Sequence, residues 1–85
     1  MNKLQNLRNK IDNIDKDIVK LIEKRMKISY EIGQYKKENN IPIFDEKREK
    51  EVLDRKKELL ENKDLSSMII DIYNIIMNKS KDIQK

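Results

Sequence analysis

An apolar seam at alternating three- and four-residue spacing constrains this chain more than any other feature. Leu4, Leu7, Ile11, Ile14, Ile18, Leu21, Ile28, Ile32 and Tyr35 keep that spacing, with Arg25 as the single interruption. These are the a and d positions of a heptad pattern, and they predict one long helix from Leu4 to about Glu38. No proline falls within it, and Gly33, the one glycine of the chain, stands near its end. About 35 residues at ~1.5 Å each make a rod roughly 50 Å long. A compact chain of this length has a radius of gyration near ~12 Å. The rod therefore overhangs whatever the remaining residues build, and its seam calls for a second chain. A homodimer is the simplest supplier.

Arg25 is the informative interruption. An arginine inside an apolar seam is costly to desolvate unless an anion meets it. Either it pairs with a structural carboxylate or snorkels to the surface, or it serves an anionic ligand. Lys36, eleven residues on, returns to nearly the same face of the helix. Arg8 does not share that face and lies ~25 Å from Arg25 along the axis. One small ligand cannot touch both on a single helix. In an antiparallel dimer, Arg8 of one chain can approach Arg25 and Lys36 of the other.

Composition agrees with a thin, shared core. Of the 85 residues 36% are hydrophobic and 42% charged, with one Gly and one Pro. No strand-like alternation occurs, so the expected class is all-α, in a single domain over residues 1–85. The absence of Cys removes disulfides, thiol nucleophiles and thiolate metal sites. The absence of His removes the commonest general base and metal ligand. Neither a metal nor a cofactor is expected. The N-terminus leads straight into the amphipathic pattern, and no apolar run has the length of a membrane span, so a cytoplasmic location is the expectation. The net charge of +4 favours anionic partners weakly, because both signs are interspersed along the helices.

Beyond the long helix, Asn39 and Asn40 stop it and Pro42 keeps it stopped. Ile41, Ile43 and Phe44 are expected to pin this connection onto the core. Asp45 is suited to N-cap a second helix from Glu46 to about Glu61, with Val52, Leu53, Leu59 and Leu60 inward. After a break at residues 62–64, Asp64 or Ser66 is expected to cap a third helix from Leu65 to about Ile83. Ser80 and Gln84 follow the line of Tyr73 and Met77 on one face of it.

The run Leu7-Arg8-Asn9-Lys10-Ile11-Asp12-Asn13-Ile14-Asp15, then Arg25-Met26, then Ile32-Gly33-Gln34-Tyr35-Lys36, resembles the all-helical class of chorismate mutases. The likeness continues through Ile41-Pro42-Ile43-Phe44-Asp45 and Arg48-Glu49 and closes with Ser80 and Gln84, so it covers essentially the whole chain. It implies an intertwined, antiparallel homodimer of three-helix subunits whose two sites each draw on both chains. Arg8 would come from the partner subunit and grip a carboxylate of chorismate, and Arg25 would hold a carboxylate from within the chain. Lys36 would contact the ether oxygen and a neighbouring carboxylate. Asp45, through its backbone, and Glu49 would bind the ring hydroxyl. Arg48 would complete the cationic wall, Ser80 would hydrogen-bond near a carboxylate, and Gln84 would donate to the ether oxygen. Lys36 and Gln84 are the implied catalytic pair.

The residues agree with that chemistry on their own terms. Chorismate is a dianion, and an arginine fork matches a carboxylate in two bonds. Its rearrangement to prephenate, which leads to phenylalanine and tyrosine, is unimolecular and needs no nucleophile, base or metal. Conformer selection and donors preset for the ether oxygen suffice. Each assignment has a plainer alternative. Asp45 caps a helix in any case, Arg48 and Glu49 fit a first-turn surface, and Ser80 can bond back one turn. Gln84 stands one residue from the end, where turns fray.

Two other functions fit parts of the pattern. An isochorismate-pyruvate lyase shares this fold and much of the cationic set. A non-catalytic antiparallel coiled-coil module would use Arg25 to fix register, but has no reason to make Arg25, Lys36, Arg48 and Gln84 converge. Mixed charge and few aromatics argue against nucleic acid. Feedback control would require a separate regulatory protein partner.

Overall fold

The computed structural model describes residues 2–85 and contains three α-helices. Helix α1 spans Lys3–Glu38, α2 spans Glu46–Leu59 and α3 spans Ser66–Gln84. Among the described residues there is no strand, and no helix is long and apolar enough to cross a membrane.

Helix α1 begins where Asn2 accepts a hydrogen bond from the Gln5 amide at 2.8 Å. It ends as the Asn pair predicts. Asn40 adopts φ +55°, the left-handed conformation asparagine tolerates, and the Ile41 amide bonds back to the Lys36 carbonyl at 2.8 Å. Side chain and backbone of Asn39 both donate to the Tyr35 carbonyl. Asp45 then caps α2 by accepting from the Arg48 amide at 3.0 Å.

Three local expectations are corrected. Helix α2 stops at Leu59, two residues early, because Leu60 turns extended and Lys63 Nζ donates to the carbonyls of Lys57 and Glu58. Leu60 takes the half-buried place there, and Leu59 is 75% exposed. Helix α3 is capped by neither Asp64 nor Ser66. A single 3-10 turn at Lys63–Leu65 precedes it, started by the Asn62 side chain, which accepts from the Asp64 amide, while the Ser66 hydroxyl donates to the Lys63 carbonyl. Of the three residues expected to pin the first connection, Ile43 alone is half-buried. Ile41 and Phe44 are exposed in the single chain, and the Phe44 ring faces the Lys81 ammonium instead.

Helix α3 packs on the C-terminal part of α1, and α2 packs on α3. The core is correspondingly thin: Val52 and Met77 are its buried apolar residues. Every residue of α1 up to Lys24 is exposed, so roughly 33 Å of rod projects beyond the packed region. The chain measures 56 × 25 × 15 Å with a radius of gyration of 16.2 Å. Leu4, Leu7, Ile11, Ile14, Ile18 and Leu21 lie uncovered along the rod.

Candidate active site

The remaining third of α1, the start of α2 and the end of α3 enclose a cavity of about 370 Å³, within the range of small-molecule sites. Seven of the eight residues singled out above line it: Arg25 and Lys36 from α1, Asp45, Arg48 and Glu49 around the start of α2, and Ser80 and Gln84 from α3. Arg8 is not among them. It lies on the exposed rod, ~25 Å along the axis from Arg25. Ile28, Ile32, Val52 and Met77 supply apolar wall.

The cations are oriented by neighbours that leave most of their donors free. Arg25 Nη1 donates to Ser80 Oγ at 2.6 Å, and the Ser80 hydroxyl lies 3.7 Å from Met26 Sδ. Ser80 is buried and uses its hydroxyl to aim the guanidinium, not to bond back along its own helix. Lys36 Nζ donates to the Ile43 carbonyl at 2.8 Å. That bond ties the first connection to α1 and leaves two of the three ammonium protons for a ligand. Arg48 Nη1 makes a loose pair with Glu51 at 3.9 Å.

Gln84 closes the far end. It is the last residue of α3, and its Oε1 is buried with no hydrogen-bond partner. An orphaned buried amide oxygen costs about 1–3 kcal/mol, which a ligand in the cavity can relieve. Turned over, the same amide presents its NH2 there. The terminal turn is held by close packing: a Cβ built on Gly33 would lie 2.6 Å from Gln84 Cα and 2.9 Å from its carbonyl oxygen. Glycine lets the two backbones come this close, and any larger residue would push the end of α3 away.

Three contributors escape a reading by sequence. Gly33 is one, since its partner is far along the chain. Ser29, buried on α1, also lines the cavity, four residues after Arg25 and so on the same face. Lys81 is the third. It follows Met77 by four residues and enters the cavity wall, with its ammonium 2.9 Å from Glu49 Oε2. Among the described residues no cluster of acidic or other ligating side chains is fit to hold a metal ion.

This chain belongs to the type II chorismate mutase family, whose description matches residues 7–85. It is 37% identical over 84 residues to the chorismate mutase of Methanocaldococcus jannaschii, an alignment covering 98% of this chain and 85% of that one. It is also 38% identical to a bifunctional chorismate mutase/prephenate dehydratase of Buchnera aphidicola (subsp. Schizaphis graminum), of which it spans 22%. A solved structure of a conserved hypothetical protein from Pyrococcus furiosus superposes with a TM-score of 0.84 at 40% identity, covering 100% of this chain and 99% of that one.

Proposed function

We propose that the chain is a chorismate mutase that converts chorismate to prephenate in a site completed by a second copy of itself. The observation that carries the reading is the convergence of Arg25, Lys36, Arg48 and Gln84, whose amide oxygen has no partner, on one cavity. In the rearrangement the ether C–O bond breaks while the enolpyruvyl methylene carbon bonds to the ring carbon that bears a carboxylate. The ether oxygen becomes a ketone, and no proton need move. The protein's work is to hold the compact conformer in which the two carbons meet, and to meet the charge that gathers on the oxygen.

Arg25, aimed by Ser80, and Arg48 hold the carboxylates. Lys36 and the Gln84 NH2 point their donors at the ether oxygen, where a preset donor acts most strongly in the transition state. Glu49 and the Asp45 backbone take the ring hydroxyl.

The exposed surface supports a second copy. A compact protein of 10.3 kDa exposes about 5,400 Å². This chain exposes 7298 Å², an excess of about 1,900 Å² that suits an obligate dimer interface. In an antiparallel pairing of the rods, Arg8 of the partner reaches the cavity as its further cation. The family's substrate and the thin core together support this arrangement.

The test is loss of chorismate absorbance on adding purified protein, with prephenate identified as product. Release of pyruvate, or unchanged absorbance, would overturn the reading.

A further inference from the structure

Lys81 has no part in the reading above, yet it makes the most specific charged contact in the cavity. Among the described residues, four ion pairs join side chains three or four residues apart along the chain. The Lys81–Glu49 pair, at 2.9 Å, instead ties α3 to α2, and each of its side chains is 26% exposed. The Lys81 ammonium also lies 5.0 Å from the centre of the Phe44 ring. One cation thus gathers the connection before α2, the first turn of α2 and the last turns of α3.

The placement solves a problem that Glu49 creates. A carboxylate in a cavity built for a dianion repels the ligand. It also competes with the ligand for the same cations, since Arg48 is its neighbour on α2. With its Oε2 on Lys81, Glu49 is drawn to the α3 side and its charge is offset there, and Arg48 pairs outward with Glu51. A carboxylate offers about four lone-pair positions on two oxygens, so Oε1 stays able to accept a hydrogen bond.

We propose that Lys81 is a positioning residue that holds Glu49 as acceptor for the substrate's ring hydroxyl, and so sets the affinity for a hydroxylated ring. This rests on the reading of the cavity as a chorismate site with Glu49 at the hydroxyl. Lys81 does not touch the substrate and acts through Glu49. The hydroxyl contact is present in both the bound substrate and the transition state, so its loss belongs in KM more than in kcat.

The experiment is a double-mutant cycle on the full chain, with kcat and KM for chorismate measured for wild type, Lys81→Met, Glu49→Gln and the double variant. Lys81→Met is expected to raise KM about tenfold, the size of one hydrogen bond to a charged group, with kcat changed less than about threefold. Lys81→Arg, which keeps the charge, is expected to restore most of the affinity. In the Glu49→Gln background, Lys81→Met is expected to add little. An unchanged KM with a lower melting temperature would make Lys81 a mere fastener between helices and overturn the proposal. A loss of equal size with and without Glu49 would also overturn it, because Lys81 would then bind the substrate directly. If Lys81→Met fails to fold, Lys81→Gln runs the same cycle. A wild-type protein that does not turn over chorismate removes the site reading itself, which is a different outcome from a wild type that is active and indifferent to Lys81.

Discussion

Gly33→Ala is the most searching single perturbation of this site, because it touches no substrate and adds one methyl group. The new Cβ would lie 2.6 Å from Gln84 Cα and 3.0 Å from Gln84 Cβ. Ordinary contact begins near 3.4 Å, so the end of α3 must retreat by about 0.8 Å. Two effects on stability oppose each other. Alanine improves the propensity of α1 by about 1 kcal/mol, while overpacking costs about 1–3 kcal/mol. The net change is expected to be a loss of about 0–2 kcal/mol, which lowers the melting temperature by anything from nothing to about 15 °C for a chain of this size.

Turnover should fall much further than stability suggests. A displacement near 1 Å costs up to about a hundredfold where geometry governs catalysis. The expected result is a fall in kcat of about ten- to a hundredfold, with helicity by circular dichroism unchanged. Gly33→Ala combined with Gln84→Ala should be no slower than Gln84→Ala alone, since the amide is then already gone. Wild-type kcat in Gly33→Ala would refute the reasoning. So would a loss that simply adds to that of Gln84→Ala.

Other expectations concern the second copy and the ether-oxygen donor. The protein should sediment as a dimer at micromolar concentration and melt at a temperature that rises with concentration; a stable, active monomer would contradict the shared site. Arg8→Ala and Arg25→Ala should each be nearly inactive, yet recover about a quarter of full activity when mixed and reassembled, because half the dimers are mixed and each holds one intact site. Formation of mixed dimers without any recovery would separate Arg8 from Arg25. Gln84→Glu donates only while protonated, and a free glutamate titrates near ~4.3. Its turnover should therefore be poor at neutral pH, by on the order of a hundredfold, and gain as pH falls, whereas wild type should show no such rise. Parallel pH profiles would remove Gln84 from the ether oxygen.

What could be read in the sequence was whatever depends on near neighbours along the chain. The heptad seam, the asparagine stop and the Asp45 cap are each decided within a turn or two of helix, and they appear as expected. The shared face of Arg25 and Lys36 follows from helical geometry alone. The contacts that shape the cavity have another origin. Gly33 meets Gln84 and Lys81 meets Glu49 only after α3 has folded back on α1 and α2. No periodicity encodes such meetings. The lead into α3 differs from the expected cap, though not from the expected start, for a related reason. Asn62 outcompetes Asp64 and Ser66 by closing a 3-10 turn, a choice set by how the chain leaves α2. Phe44 reads as core because it is large and apolar, but a ring also has a face that attracts an ammonium.

If a second copy lends Arg8 to the cavity as proposed, the uninterrupted rod between Arg8 and Arg25 makes chain length itself part of the site. One inserted residue rotates everything beyond it by ~100° and shifts it ~1.5 Å, so Arg8 would leave the face it needs. Inserting seven nearly restores the face, within ~20°, but lengthens the rod by about 10 Å, or two turns. No loop lies between the two arginines to absorb either error. A residue added near positions 60–62, outside any helix, costs little by comparison. Point substitutions along the exposed side of the rod are therefore cheap, whereas a single codon gained or lost within it uncouples the two ends of the helix. Active chains built on this plan should vary in length at their connections and hold the spacing from Arg8 to Arg25 constant.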